Sequence, residues 1–158
     1  MTVRAVLDTQ VVLRGLLGAR RSACVAIYDA LAQGAFTGVT SPHILDELRR
    51  VLANLSARNR YALTTERSTE LLDAYQRIAE PVAGALVIRE LAPRPAIPTE
   101  DEPVVAAAIE GGADHLVTDD AGLLAVKALS ISGYRTLQIT APGPFVKQVL
   151  GIKDFGPP

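Results

Sequence analysis

The chain has 158 residues, enough for one domain with a substantial core, and 49% of them are hydrophobic although only 4% are aromatic. A formal net charge of −1 excludes binding to polyanions by overall charge, so any such contact must rest on local clusters. The lone cysteine, Cys24, excludes an internal disulfide framework and points to a reducing cytoplasm, and no apolar run approaches the ~20 residues that span a bilayer.

Residues 1–17 look superficially like a short signal sequence, but Asp8 interrupts the run and no small-residue cleavage site follows cleanly. Residues 3–7 read instead as a short buried strand ended by Asp8, with a helix expected from about Val11. Residues 22–33 carry helical apolar spacing (Cys24, Ile27, Tyr28, Leu31) closed by Gly34, which makes Cys24 a small core residue. Residues 36–39 form a second strand. Ser41-Pro42 then marks a helix start, Ser as cap and Pro in the first turn, for a helix running to about Leu55. Residues 65–80 form another amphipathic helix with Leu71, Leu72, Tyr75, Ile78 and Ala79 on one side. Between Pro81 and Pro98 four prolines break any pattern, leaving a connection with one short strand at residues 85–88. Residues 99–110 are helical and stop at Gly111-Gly112; residues 115–118 are a strand, 121–130 a helix, 136–140 a strand and 142–150 a last helix. The expected organisation is a single domain over residues 1–150 and a tail over 151–158, loose from Asp154 onward. Strands alternating with helices predict a mostly parallel sheet covered on both faces.

Four acids stand where a carboxylate needs a reason. Asp8 and Asp120 directly follow apolar strand runs, where a parallel sheet presents functional groups at its carboxyl edge; each alone also reads as a turn or cap residue. Glu47 lies three residues after Ile44 and four before Val51, on or beside the stripe formed with Leu48, Leu52 and Leu55. A carboxylate there costs several kcal/mol, roughly, unless a metal or an arginine from elsewhere answers it. Asp46 falls on the polar side, at ion-pair spacing from Arg50. Thr99-Glu100-Asp101-Glu102 has the form of a capping box, yet Asp101 precedes Val104 and Val105 by three and four residues and so points toward the core side. Asp119 is a further candidate ligand beside Asp120. His43 and His115 read as packed or exposed side chains, and there is no phosphate-binding loop, second cysteine or serine nucleophile elbow. An oxygen-only set suits Mg2+ or Mn2+ rather than zinc. Basic residues cluster at Arg14, Arg20 and Arg21, at Arg49 and Arg50, and at Arg58, Arg60 and Arg67, either as solvated helix faces or as the rim of a polyanion site.

The segments Val6-Leu7-Asp8-Thr9, Ser41 through Leu48, Glu100 through Ala108, Ala113 through Asp120, Leu123-Leu124 and Ile139-Thr140-Ala141-Pro142 with Phe145 together resemble the PIN-domain family, in particular its toxins of toxin–antitoxin pairs. The resemblance implies a three-layer α/β/α sandwich and a Mg2+- or Mn2+-dependent ribonuclease. Asp8, Glu47, Asp101 and Asp120 match the family's metal-binding catalytic acids, Thr118 its polar residue near the metal and Thr9 the polar residue after the first Asp. Two positions depart from the pattern: Gln10 stands where the family usually has Asn, and Gly122 where the subgroup often has a polar or acidic residue. The chemistry expected is hydrolysis of RNA phosphodiester bonds by one ion, or by two about 4 Å apart, with Arg14, Arg49 and Arg50 holding backbone phosphates. An antitoxin over the cleft and a homodimer are the expected partners. The rivals are an Asp8-nucleophile phosphatase or phosphotransferase, against which Gln10 and the lack of a late catalytic Lys count, and a non-catalytic interaction protein of the same fold.

Overall fold

The structure, a computed structural model, describes residues 2–18 and 22–153. Arg20 and Arg21 of the first basic cluster, and the tail from Asp154, lie outside the described residues. In chain order the main elements are β1 (Arg4–Leu7), α1 (Thr9–Leu17), α2 (Ala23–Ala32), β2 (Thr37–Thr40), α3 (Pro42–Ala57), α4 (Thr65–Ile78) and β3 (Ala79–Pro81). They continue with α5 (Glu102–Glu110), β4 (His115–Val117), α6 (Ala121–Leu124), β5 (Ala128–Leu129), β6 (Leu137–Thr140) and the short turn α7 (Pro142–Pro144).

The strands make one sheet in the order β3-β2-β1-β4-β6-β5. Every neighbouring pair is parallel except β5 with β6. β1 is central, with Val6 in register with Val39 on one side and Leu116 on the other. After Arg4, its side chains alternate between two cores, which is why residues 5–7 are all apolar. Ala5 and Leu7 face the layer of α1, α2, α3 and α4 with Val12, Ile27, Leu48, Tyr75 and Phe145; Val6 faces the opposite layer with Ile44, Val105, Ala108, Leu123 and Leu137. The mostly parallel α/β architecture expected from the sequence is therefore present. No helix among the described residues is long and apolar enough to cross a membrane.

Several local expectations give way to particular causes. Helix α4 ends at Ile78 rather than 80, because Ala79 turns extended (φ −107°, ψ 137°) and starts β3 directly. Pro81 is tolerated there because β3 is an edge strand. Residues 85–88 are not a strand; Gly84 takes φ +78° and the chain runs through a loop to a 3-10 turn at Ile88–Glu90. The helix expected over 121–130 is only α6, since Lys127 adopts φ +70° and turns the chain back as the antiparallel strand β5. After α7 the chain continues as a wider π turn over Phe145–Val149, with Leu150 N–H donating to the Phe145 carbonyl at 3.0 Å. Ser41 caps α3 as the sequence implies, accepting from Ile44 N–H at 3.3 Å. Asp46, however, pairs with Arg49 at 2.7 Å and not with Arg50.

Candidate active site

Because β1 and β4 are parallel neighbours, their carboxyl ends deliver Asp8 and the segment 118–120 side by side, tied by Asp8 N–H donating to the Val117 carbonyl at 3.0 Å. Asp8 caps α1: its Oδ1 accepts from Thr9 N–H at 2.8 Å, and its Oδ2 accepts from the Thr118 hydroxyl at 2.8 Å. The Thr118 hydroxyl, fully buried, accepts in turn from Asp120 N–H at 3.0 Å. A single neutral side chain thus links the two acids. Asp120 caps α6, its Oδ1 accepting from Gly122 N–H at 2.8 Å and Leu123 N–H at 3.2 Å. The bare Gly122 has a local reason here, since a Cβ at that position would sit 3.1 Å from Asp120 Oδ1.

Asp101 ends a 3-10 turn (Thr99–Asp101) immediately before α5, and its side chain makes no capping bond. The capping box therefore does not form. Pro103 sets the start of α5 at Glu102, whose carboxylate is bound instead to Arg94 at 3.3 Å. Glu47 is half-exposed at the edge of the buried stripe of α3 (Ile44, Leu48, Leu52) rather than inside it. No arginine pairs with it among the described residues; His43 Nε2 stands 3.6 Å from its Oε2.

Electrostatics bind these four acids into one field. Burial pushes the Asp8 pKa up, hydrogen bonds from Thr118 and Thr9 oppose the shift, and the charges of Glu47 and Asp120 add to it. Burial also pushes Asp101 up, reinforced by the charges of Asp120, Glu100, Asp8 and Glu47. Acids whose ionised form is disfavoured by burial and by neighbouring negative charge, as Asp8 and Asp101 are, sit where an added cation is favoured. The donor set is all oxygen, as a hard divalent ion requires. Beside it the buried Thr9 hydroxyl has no protein hydrogen-bond partner. Among the described residues no three acid, imidazole or thiol groups close into a ready-made metal cage, so the carboxylates would have to draw inward around an ion.

The remaining candidates sit around this field. Asp119 pairs with Arg14 at 2.6 Å and is not among the charges that act on Asp8 or Asp101. Arg49 is held by Asp46. Arg50 lines a depression of about 360 Å3 with Glu47, Val51 and Asn54, and makes no ion pair among the described residues. Sequence reasoning missed two acids with clear structural work. Glu110, at the end of α5, accepts the N–H groups of Gly84 (3.1 Å), Ala85 (2.7 Å) and Leu86 (2.8 Å). Burial pushes its pKa up, but the N–H groups of that loop together hold it below the usual value. Asp114 accepts from Arg4 N–H at 2.9 Å and Arg135 at 2.7 Å, at the amino edge of the sheet. The partners lie far away along the chain, and no local pattern announces them.

A mostly parallel sheet covered on both faces, with Asp8 and Asp120 following the carboxyl ends of its neighbouring strands β1 and β4, makes this an α/β domain. The model of the PIN domain family matches residues 4–122, well over half of the sequence, and the chain belongs to that family. Nine chains of solved structures match it. One of them, in the crystal structure of VapBC2 from Rickettsia felis bound to a DNA fragment from their promoter, superposes with a TM-score of 0.56 at 16% identity, over 87% of this chain and 98% of that chain. At that identity the likeness is one of fold. No curated protein sequence matches.

Proposed function

We propose that this chain is a Mg2+- or Mn2+-dependent endoribonuclease of the PIN family and the toxin component of a toxin–antitoxin pair, acting in the cytoplasm as one domain over residues 1–150 with a tail over 151–158. The observation that carries the reading is the shared field of Asp8, Glu47, Asp101 and Asp120, in which Asp8 and Asp101 are each pushed up partly by their acidic neighbours. These four would hold the ion. A bound Mg2+ or Mn2+ supplies water activation and Lewis acidity toward a phosphate oxygen. Thr118 keeps Asp8 and Asp120 in register through its two hydrogen bonds, and Thr9 offers its unpartnered hydroxyl next to Asp8. Asp119 would reach the ion only by releasing Arg14. Of the three arginines, Arg50 is best placed to hold a backbone phosphate, because Arg14 and Arg49 must first give up Asp119 and Asp46. Such contacts are sequence-neutral and weaken with salt. Membership of the PIN family supports RNA as the substrate, and the fold shared with a chain of a VapBC2 structure supports an antitoxin partner; a homodimer is the assembly we expect.

The deciding experiment incubates the protein with mixed single-stranded RNA and Mn2+ or Mg2+, against EDTA and an Asp8→Asn/Asp101→Asn double variant shown to fold. Metal-dependent cleavage that the variant lacks is the expected result. A folded wild type that fails to bind Mn2+ overturns the reading. Formation of a trappable phospho-aspartate at Asp8 would replace it with the phosphatase alternative.

A further inference from the structure

A second cavity adjoins the acids and takes no part in the steps above. It encloses about 410 Å3 between the start of α3, the start of α5 and the loop over residues 83–89. That volume lies within the ~300–1,000 Å3 of ligand pockets and is adequate for one nucleotide. Helix α3 carries one member of the acidic set and another immediately precedes α5. On α3, His43 lines the cavity and faces Glu47 one turn later, Nε2 to Oε2 3.6 Å; on α5, Asp101 immediately precedes Glu102, another lining residue. Cavity and acids are therefore held next to each other by two rigid elements.

The chemistry of the lining is mixed. Leu86, Val87 and Pro103 give apolar surface, while His43, Arg89 and Glu102 give hydrogen-bonding groups. Val87 is 41% exposed, so its apolar side chain is accessible to a ligand in the cavity. Arg89 is exposed and has no ion-pair partner among the described residues, whereas Glu102 is already tied to Arg94. The loop wall is built rather than slack: the Glu110 carboxylate gathers three consecutive N–H groups, of Gly84, Ala85 and Leu86, and Ile88 is buried in the core just beyond. A cavity with apolar surface, an imidazole and an unpaired guanidinium, whose His43 and Glu102 neighbour Glu47 and Asp101, is what a splayed-out base and its phosphate require. Bases of single strands stack on apolar, His and Arg surfaces, and guanidinium groups pair with phosphate oxygens.

We propose that this cavity is the subsite for the nucleotide adjoining the scissile bond, with the base between Val87 and His43 and its phosphate on Arg89. The proposal rests on the ribonuclease reading for the strand to which that nucleotide belongs, but binding of the nucleotide itself needs neither metal nor cleavage. Titration of the four nucleoside 5′-monophosphates into the wild-type protein in EDTA, followed by amide NMR, tests it. Saturable shifts are expected at His43, Glu102 and residues 84–89. Arg89→Ala should weaken them about tenfold or more, the loss of one charge-assisted hydrogen bond. Val87→Glu, at an exposed position, should weaken them comparably. With RNA and Mn2+, Arg89→Ala should raise KM while kcat stays close to wild type, the signature of lost uniform binding. Metal-dependent cleavage by a wild type whose 84–89 segment does not respond to any nucleotide refutes the subsite and leaves the nuclease reading intact. Saturable shifts there, in a folded protein that fails to bind Mn2+, refute the nuclease reading and detach the cavity from any scissile bond, overturning the proposal as stated while leaving a nucleotide-binding cavity. Unchanged affinity in both variants also overturns the proposal.

Discussion

Replacing Asp101 by Asn separates what the acidic field costs the fold from what it offers a cation. The Asp101 carboxylate makes no capping bond, so an amide of the same shape removes no hydrogen bond that the structure contains. Its pKa is raised from 3.8 by burial and by the charges of Asp120, Glu100, Asp8 and Glu47. For an acid with a raised folded pKa, the associated stability is fully present below the unfolded value and is lost as pH rises through the folded one. At neutral pH the native protein therefore carries the whole penalty, and Asp101→Asn carries none. Against this stands the loss of a favourable charge at the start of α5, about 0.3–1 kcal/mol. Each relieved like-charge contact at this partly exposed position is worth roughly 0.2–1 kcal/mol, and several acids contribute. The net expectation in EDTA is a variant between equal to wild type and about 1 kcal/mol more stable. For a domain of this size that is a rise of at most ~4 °C. The gap should shrink as pH falls through the raised folded pKa and close below 3.8, where Asp101 is protonated in both states.

With Mn2+ the order should reverse. A ligand at a hundred times its dissociation constant stabilises by about 2.7 kcal/mol, or roughly 5–10 °C here; a hundredfold loss of affinity at the same concentration leaves about 0.4 kcal/mol. Thermal melts of wild type and variant at neutral pH and low salt, in EDTA and across a Mn2+ titration, read both effects. A variant that melts well below wild type in EDTA would show that Asp101 has structural work which the hydrogen bonding does not reveal. Equal Mn2+ stabilisation of the two proteins would remove Asp101 from the ligand set.

Three further substitutions probe the supports of the site. Thr118→Val strips Asp8 Oδ2 of a donor and Asp120 N–H of an acceptor; in a fully buried position this should destabilise by about 1–3 kcal/mol in denaturant titrations. Because the lost bond lowered the Asp8 pKa, the acidic limb of the cleavage profile should also move to higher pH. Glu110→Ala frees the N–H groups of residues 84–86; hydrogen exchange there should quicken roughly fivefold, about 1 kcal/mol, since water can take over at this partly exposed loop. Gly122→Asp would bring a Cβ to within 3.1 Å of Asp120 Oδ1 and add a like charge, so its melting temperature in EDTA should fall, by roughly 2–4 °C for each kcal/mol lost.

What was legible in the sequence follows from the range of the forces involved. The apolar run of β1, the Ser41 cap of α3 and the carboxyl-edge positions of Asp8 and Asp120 are local signals, and the fold respects them. The two edge strands were not legible. β3 and β5 are three and two residues long, and their pairing is decided by β2 and β6 rather than by any periodicity of their own. The capping box at Thr99 was a false signal that the sequence itself could have corrected. With Thr99 as cap, Pro103 would fall at the fourth helical position, where its missing N–H deprives the helix of its first intrahelical bond. Starting at Glu102 keeps Pro103 in the first turn, where no N–H is needed. The Arg14–Asp119 pair joins residues 105 positions apart, and only the register of β1 against β4 brings them together.

A fold that gathers four carboxylates must hold them while nothing neutralises them, and the arrangement here accounts for how. Asp8 and Asp120 each give one oxygen to backbone N–H groups at a helix start, which compensates part of their charge without a cation. Thr118 bridges them with a hydroxyl that donates to one residue and accepts from the other, so their separation is fixed by a neutral group. Glu47 stays half in solvent beside His43. An arginine inserted among them would have relieved the repulsion more fully, but permanently, since guanidinium does not deprotonate and a buried pair resists separation. Instead Arg14 and Arg49 are held outside the field by Asp119 and Asp46. Burial first, and the neighbouring negative charges second, keep the Asp8 and Asp101 pKa values raised, which is what the proposed reversible cation would relieve.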